Sequence, residues 1–481
     1  MRLKKRSLNT ERKTPPLSQS SAQSGQSRLY SAVTSSSTIR RVDSRNATPD
    51  SGLYDVYGAV VVGAGPAGIT AVGNLLENRI DRILWVDHAF DGGRVNQYYR
   101  EVPSNTKAKL FIEFATAVAP FRESASGSPS GDLAKEQRTS EGISGATKSD
   151  KLRDLSDKLL DLQRLDQESG CHLRYAADLL LMLTEGLKRT PGVIAQTGQV
   201  TSATLHESTA TWAIDVSTEG DSPQNITSVQ AQRLILCTGS SPIDPPLPYE
   251  PGGLKHLHLD TALSPTKLSE LLSPLGPTTV AVIGASHSAV LVLWNLANLA
   301  LTSKPNLKVK WFTRHPLRYA EYEDGFIARD NTGLKGEAAQ WARNNLEPET
   351  MPDSLISGMI TKITYNKGDE ESAYREHLSG TSFVVQAIGY HRDPLPTLRT
   401  SSGQKIEPLF DHNEGVFHYM KQNASGSIGE LAVLPGVYGA GIAFPEKVVD
   451  KKYGHEEMNV GFYKFMQAVK KWSKGWKAVA V

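Results

Sequence analysis

Cysteine is nearly absent from this chain of 481 residues, in which Cys171 and Cys237 are the only two. Two cysteines are too few for a disulfide framework, for a zinc site built on cysteine or for a CxxC redox pair. The sequence therefore excludes thiol–disulfide reductase chemistry, and no motif in it predicts a metal site.

An excess of charge of either sign is also missing. Lys and Arg number 53 against 51 Asp and Glu, which gives a net charge of +2. The chain therefore lacks the basic field that holds a nucleic acid backbone. We expect a small molecule as substrate or electron acceptor, and no nucleic acid partner.

Long hydrophobic runs are absent as well. The most apolar segment, Val280 to Leu301, is interrupted by Gly284, by Ser286 to Ser288 and by two asparagines. It is too polar for a transmembrane helix and fits a buried strand, a turn and a helix. We therefore expect no transmembrane segment.

The N-terminal segment has little that can pack into a core. Residues 1–46 hold ten basic residues against only Glu11 and Asp43, so residues 1–54 are predicted to be a disordered basic segment. Two interpretations stay open. The segment is either a mitochondrial transit peptide cleaved near Arg28-Leu29-Tyr30-Ser31, or the plain tail of a cytoplasmic protein.

A second polar tract, residues 123–150, is dominated by Ser, Gly, Thr, Lys and Glu. It predicts a long surface insertion between folded segments. Beyond it, leucines recur at near-helical spacing from Leu152 to Leu162 and from Leu179 to Leu187, which predicts two helices.

A short β-branched strand, Ala59 to Val62, leads directly into a glycine turn and a helical stretch. In this turn Gly63 allows the tight reversal, Gly65 lets the backbone approach a pyrophosphate, and Gly68 lets strand and helix pack closely. Asp87 ends the next strand, 24 residues after Gly63, where a carboxylate accepts hydrogen bonds from an adenosine ribose. Strand, turn, spacing and acid together predict a dinucleotide site.

A second strand, Thr279 to Ile283, runs into another turn, in which Gly284, Ser286 and Ala289 take the three glycine positions. Serine and alanine are small enough to preserve phosphate approach and helix packing. The strand that follows ends at Arg314 with no carboxylate. Because a 2′-phosphate is bound by cationic donors, Arg314 predicts NADPH rather than NADH. The alternative is a solvated arginine at a strand end.

These turns resemble those of the flavoproteins with two dinucleotide-binding domains, a superfamily that includes pyridine nucleotide reductases and class B flavin monooxygenases. The resemblance is strongest over residues 58–76 and 85–94, and it covers about residues 55–120 and 172–470. It implies FAD at the first turn, with Gly93 and Arg94 near the flavin, and NADPH at the second.

The resemblance also identifies the segments that cross between the two domains. Residues 233–239, which end in Thr238 and Gly239, resemble the second flavin signature, and residues 383–390 resemble the return crossover. Gly441 lies in a segment that usually ends in Gly-Asp, but Ile442 stands where the acid is expected. A backbone amide at Ile442 could still face the pyrophosphate. The FxGxxxH fingerprint of the monooxygenases is not found before the second turn.

The predicted fold is α/β, with two Rossmann-like domains and the NADPH domain inserted into a discontinuous FAD domain. The expected boundaries are 55–122, 151–250 and 396–481 for the FAD domain, and 251–395 for the NADPH domain. The last part ends in a helix with one apolar face, from Phe462 to Trp472, beside several lysines. That face predicts either docking on the FAD domain or contact with a membrane surface.

Three functions stay open from the sequence. The first is an oxidoreductase in which NADPH gives a hydride to FAD and the flavin reduces a small acceptor. The second is a flavin monooxygenase that hydroxylates a small substrate through a C4a-hydroperoxide. The third is a non-catalytic protein that keeps the nucleotide-binding fold. No motif identifies catalytic residues, the substrate or the oligomeric state.

Overall fold

The computed structural model of this chain describes residues 56–126, 157–218, 225–422 and 428–476. The predicted basic segment at 1–54, with its transit-peptide interpretation, and the polar tract from residue 127 onward lie outside the described residues. Among the helices that the structure describes, none combines the length and the apolar character needed to cross a membrane.

The strands of the described ranges are short, and many of them are buried. In chain order they are β1 Ala59–Val62, β2 Ile83–Asp87, β3 Pro103–Lys107, β4 Gly170–His172, β5 Val193–Thr197, β6 Gln199–His206, β7 Thr211–Ser217, β8 Ile226–Ala231, β9 Leu234–Leu236, β10 Ser240–Pro242, β11 Lys255–His256, β12 Thr278–Ile283, β13 Leu307–Thr313, β14 Glu321–Glu323, β15 Phe326–Ala328, β16 Ile360–Thr364, β17 Phe383–Gln386, β18 Tyr390–Arg392, β19 Thr397–Thr400, β20 Lys405–Ile406, β21 Leu409–Asp411, β22 Val416–Gln422, β23 Ile428–Gly439, β24 Glu446–Val449 and β25 Glu456–Asn459.

The helices connect these strands. In chain order they are α1 Pro66–Glu77, α2 Arg94–Tyr98, α3 Ala108–Ala115, α4 Ala119–Ser126, α5 Leu173–Lys188, α6 Leu259–Leu263, α7 Pro265–Leu272, α8 His287–Thr302, α9 Gly336–Asn345, α10 Glu370–His377 and α11 Phe462–Trp472. A 3₁₀ turn, Ser473–Gly475, follows α11, and residues 157–163 are also helical.

The first sheet collects strands from both ends of the chain, in the order β21-β22-β23-β9-β1-β2-β5. Its five strands from β23 to β5 pair in parallel. The central strand β1 is almost completely buried because its valines face packed layers on both sides. This sheet carries the first glycine turn, between β1 and α1.

The second sheet is built entirely from the middle of the chain, in the order β11-β17-β12-β13-β16, and all of its strands are parallel. It carries the second turn, between β12 and α8. Because the first sheet takes its strands from before and after this segment, the predicted fold class is confirmed: one Rossmann-like unit is inserted into another that is discontinuous.

The two crossings of the chain lie side by side. Strand β10, which leaves the first sheet after β9, pairs antiparallel with β18, which returns from the second sheet after β17. A third sheet, β20-β19-β6-β7-β8, packs its apolar side against the first. The predicted crossover segments are therefore neighbours, and they fix how the two units meet.

The C-terminal helix α11 docks on the first unit. Phe465, Met466, Val469 and Trp472 are buried on its inner face, and the last three belong to one core cluster with residues of α1 and α3. The suggested membrane contact of this face is therefore wrong. The apolar side chains that would enter a lipid surface are already covered by protein.

Candidate functional site

A cavity of about 860 Å³ opens at the carboxyl ends of the parallel strands β1, β2 and β9. This edge is where open α/β sheets bind ligands, because loops and helix N-termini converge there. Many of the predicted site residues line the cavity, namely Gly63, Gly65, Asp87, Gly93, Arg94, Thr238, Gly239 and Ile442.

Each of the three glycines of the first turn has a different structural role. Gly63 has φ +101°, and an added Cβ would lie 2.4 Å from the Cys237 carbonyl oxygen. A Cβ on Gly68 would lie 1.8 Å from the Gly63 carbonyl oxygen, so this residue does not line the cavity but lets helix and turn touch. Around Gly65 nothing lies within 4 Å of the added Cβ. Gly65 therefore leaves space that a ligand can fill.

Asp87 ties the end of β2 to the first turn. One carboxylate oxygen accepts a hydrogen bond from the Ala64 amide at 2.7 Å, and the other accepts from the Ala89 and Phe90 amides at 2.8 and 2.7 Å. A carboxylate has about four acceptor positions, so Asp87 can still accept one bond from the cavity that it lines.

Gly93 and Arg94 begin helix α2 beside the turn. Gly93 has φ +65°, and its added Cβ would lie 3.2 Å from the Gly65 Cα. This close approach brings the Arg94 side chain to the cavity wall. The structure therefore brings together the two segments on which the resemblance rests.

Three buried polar atoms of the cavity lining have no hydrogen-bond partner among the described residues: Thr238 Oγ1, His287 Nδ1 and Arg94 Nε. Leaving a buried polar group unpaired costs free energy. Together with the open space at Gly65, these atoms fit a cavity built around a polar ligand such as a dinucleotide.

His287 was not predicted from the sequence as a site residue. It is the first residue of α8, in the second glycine turn, yet its side chain lines the cavity of the first. Burial, and then the nearby Lys335 cation, lower its pKa to about 4. His287 is therefore a neutral imidazole where the two nucleotide turns meet. The only signal in the sequence was a titratable residue within the turn.

A buried polar cluster joins the two units at the same cavity. Arg94 of α2 contacts the Asp260 carboxylate of α6, and the Tyr99 hydroxyl donates a 2.8 Å bond to Asp260 Oδ1. The hydroxyls of Tyr99 and Tyr390 lie 3.3 Å apart. Apart from Arg94, these residues were not predicted as site residues, because only the tertiary fold brings α2, α6 and β18 together.

The three glycine positions of the second turn do not line this cavity, in contrast to His287. An added Cβ on Gly284 would lie 2.3 Å from the Ala387 carbonyl oxygen and 3.5 Å from the Ala289 Cβ. The Ser286 hydroxyl donates to the same carbonyl at 3.3 Å. These small residues therefore pack the turn against the end of β17, and the amide end of α8 stays without a side-chain cap.

Arg314 lies at the end of β13, as predicted, and its side chain is 41% exposed. Its Nη1 lies 3.3 Å from Glu370 Oε1, at the start of α10. The guanidinium is therefore available at the surface beside the second turn, with one carboxylate next to it.

The C-terminal segment closes the cavity. Gly441 packs on helix α1, since its added Cβ would lie 2.3 Å from the Ala67 Cβ. Ile442 lines the cavity and is 40% exposed, so an apolar side chain stands where an acid was expected. The start of α11 also contributes Phe462 and Phe465 to the lining.

Both cysteines are free and buried. Burial raises the pKa of Cys237, which lines the cavity, and raises the pKa of Cys171 to about 11. Each thiol therefore stays protonated at neutral pH and is a poor nucleophile.

Asp450, His455 and Glu457 form the one group in the described ranges with spacing suited to a metal ion. Asp450 already accepts bonds from the amides of Lys452 and Tyr453, and Glu457 from Asn331 and Thr332. Protein donors therefore account for these carboxylates.

Two solved structures show limited similarity to this chain. The ornithine N-hydroxylase of Kutzneria sp. 744 matches with a TM-score of 0.48 and 13% identity, covering 88% of this chain and 99% of that one. The bacillithiol disulfide reductase of Staphylococcus aureus matches with a TM-score of 0.42 and 12% identity, covering 87% and 97%.

The sequence matches are much stronger. The family model described as pyridine nucleotide-disulphide oxidoreductase matches residues 57–309. Monooxygenase AgnR1 of Paecilomyces divaricatus is 45% identical over 423 residues, which are 87% of this chain and 98% of that protein. The residues matched by the family model include both glycine turns.

Proposed function

The chain belongs to the pyridine nucleotide-disulphide oxidoreductase family, and we propose that it is an NADPH-dependent FAD monooxygenase acting on a small organic molecule. The observation that carries the proposal is the shared cavity. It is lined by the first nucleotide turn and by His287 of the second, so the two sites converge on one space. Such convergence is what hydride transfer between two bound cofactors requires.

FAD would be held by the first unit. The amides at the start of α1 and the open space at Gly65 suit its pyrophosphate. Asp87 has acceptor capacity for a ribose hydroxyl, and Thr238 Oγ1 is a buried hydroxyl that no described residue bonds. When bound, the flavin would supply the redox chemistry, taking a hydride from NADPH and passing electrons on.

NADPH would be held by the second unit. The uncapped N-terminus of α8 at Ser286 suits a pyrophosphate, and Arg314 suits the 2′-phosphate because a guanidinium binds phosphate oxygens strongly. His287, at the start of the same helix, reaches the cavity of the first unit. The nicotinamide would therefore be directed toward the flavin.

The state of the two cysteines argues against a dithiol as the electron acceptor. The thiols are buried and protonated, so this chain does not offer a redox-active cysteine pair. The 45% identity to a protein named a monooxygenase favours oxygen insertion over a simple reductase. The reductase is kept as the second candidate because the FxGxxxH fingerprint is missing from the sequence.

The test begins with the visible spectrum of the purified protein, which should be yellow with bound FAD. NADPH oxidation, oxygen uptake and peroxide release are then measured together, with a small-molecule extract of the producing cells as substrate source. A monooxygenase incorporates label from ¹⁸O₂ into a product. NADPH oxidation that proceeds without oxygen and labels no product would support the reductase. A colourless protein that binds neither nucleotide would support the non-catalytic alternative.

A further inference from the structure

A buried ion pair connects the two nucleotide-binding units beside the cavity. Arg94 begins α2 of the first unit, and Asp260 lies in α6 of the second. The Asp260 side chain is only 5% exposed, and both of its oxygens are used, one by Arg94 and the other by the Tyr99 hydroxyl at 2.8 Å. A carboxylate this deeply buried requires such partners.

The neighbouring His258 lies farther from the Asp260 carboxylate than Arg94 does. Its Nδ1 is 3.4 Å from Asp260 Oδ2 and 3.3 Å from the Asp260 amide, and its side chain is 49% exposed. Because a guanidinium is always charged, Arg94 is the cation that balances Asp260.

One nitrogen of the Arg94 guanidinium, Nε, is available to a ligand in the cavity. Its Nη2 contacts Asp260 and lies 3.4 Å from the Tyr99 hydroxyl, but its Nε is buried and has no partner in the part of the chain that the structure describes. Although burial lowers the pKa of Arg94, its Tyr99 and Asp260 neighbours raise it more, so the side chain stays charged. A fixed cationic donor therefore stands at the cavity wall.

We propose that Asp260 is a positioning residue: it holds the Arg94 cation at the flavin cavity, masks part of its charge, and so sets the midpoint potential of the bound flavin. The inference rests on the proposed function, because it requires FAD in this cavity. It adds that a residue of the NADPH-binding unit tunes the cofactor of the other unit.

The sign of the effect follows from charge. A reduced flavin carries more negative charge than an oxidised one, so an unmasked cation nearby stabilises the reduced form, and an unpaired carboxylate destabilises it. In the native protein the two charges of the pair offset each other. Removing either partner should therefore move the potential, in opposite directions.

The experiment measures the midpoint potential of the FAD-bound protein in Asp260→Asn, Arg94→Gln and the double variant. Asn keeps one oxygen that can accept from Arg94, and its amide NH2 can donate to the Tyr99 hydroxyl oxygen. Asp260→Asn should favour reduced over oxidised FAD roughly tenfold more than the wild type, a positive shift of about 30 mV for a two-electron couple. Arg94→Gln should shift the potential negatively, and the uncharged double variant should return close to the wild type.

Asp178→Asn is the matched control. It removes the acid of another ion pair, in which Arg100 Nη2 lies 2.9 Å from Asp178 Oδ1. Both residues of this pair belong to the first unit, and their side chains are more exposed than those of Arg94 and Asp260. The potential of Asp178→Asn should equal that of the wild type. Either single variant tests the proposal if the other does not fold.

Shifts of both single variants in the same direction, or no shift, would overturn this inference, whereas FAD binding by the same proteins would leave the proposed function standing. A protein that takes up no FAD would overturn both.

Discussion

Gly65 can be changed without disturbing the fold around it. Its φ is −75°, and no atom lies within 4 Å of an added Cβ, so Gly65→Val should fold normally. The new side chain fills the space that the pyrophosphate needs, and FAD binding should be abolished. The check is a visible spectrum and calorimetry with FAD, beside circular dichroism of the same sample.

Gly68→Ala is the informative comparison, since its Cβ would lie 1.8 Å from a backbone oxygen. This variant should lower the melting temperature of the protein, whereas Gly65→Val should not. Normal FAD binding by Gly65→Val would show that the turn does not face the cofactor.

His287 gives stability a defined pH dependence. Its pKa is about 4 in the folded protein and about 6.5 in an unfolded chain. Between these values the unfolded chain takes up a proton that the folded protein does not, so stability is complete above the higher pKa and falls as the pH drops. The loss is about 3 kcal/mol. Between neutral pH and about pH 4, the free energy of unfolding of His287→Gln, measured by urea denaturation, should fall less than that of the wild type.

The exposed His391 provides the control. His391→Gln should follow the pH dependence of the wild type. If His287→Gln also follows it, the imidazole is not buried and neutral as described.

We expect the end of strand β13 and the start of helix α10 to decide the nucleotide preference together. Arg314→Ala removes one charge-assisted phosphate contact, worth about 1.5 to 3 kcal/mol, so NADPH affinity should fall roughly tenfold or more while NADH affinity is nearly unchanged. Glu370, 3.3 Å from Arg314, competes for the same guanidinium. Glu370→Gln should therefore strengthen NADPH binding. Titration calorimetry with both nucleotides measures these effects, and equal losses for NADPH and NADH in Arg314→Ala would exclude contact with the 2′-phosphate.

Helix α11 shows what a pattern of apolar residues can and cannot predict. The spacing of Phe462, Phe465, Val469 and Trp472 predicts a helix with one apolar face, and the helix is present. The same spacing does not predict what covers that face, because a lipid surface and a protein core both stabilise a helix with one apolar face. Contacts with α1 and α3, distant in sequence, decide it.

Across the molecule, Asp330 joins the two units at a second point. This residue of the inserted unit accepts from Lys335 Nζ at 2.7 Å and contacts Lys464 of α11 at 2.5 Å. Burial raises its pKa, but the two lysines lower it further below the ordinary value. Asp330→Asn should leave two partly buried cations unpaired and cost about 3 kcal/mol of unfolding free energy in urea denaturation.

Glu371→Gln serves as the control for this loss. It breaks a helical surface pair with Arg375 in which both side chains are about 60% exposed, and such pairs contribute under about 1 kcal/mol. A similar loss in both variants would mean that Asp330 does not bridge the units.

Much of the cofactor site follows from local sequence. The motif that fixes Gly63, Gly65, Gly68 and Asp87 runs from Ala59 to Asp87, a segment of 29 residues. The structure gives these four residues the contacts that the motif requires. Their roles as cofactor contacts stay predictions. The two interpretations of residues 1–54, a transit peptide or a plain tail, likewise stay predictions, since these residues lie outside the described ranges.

Residues at the cavity that come from distant elements could not be predicted in this way. Asp260, His287 and Tyr390 share no motif. Asp260 and Tyr390 meet Arg94 and Tyr99, and His287 lines the same cavity, because β10 and β18 pair where the chain crosses between the sheets. The two turns and the α/β class follow from the sequence because they depend on local geometry and periodicity, and the resemblance to the flavoprotein superfamily supplied the order of the crossovers. Which side chains share the cavity and what α11 covers follow from the tertiary structure, because burial and charge pairing depend on contacts between residues far apart in the chain.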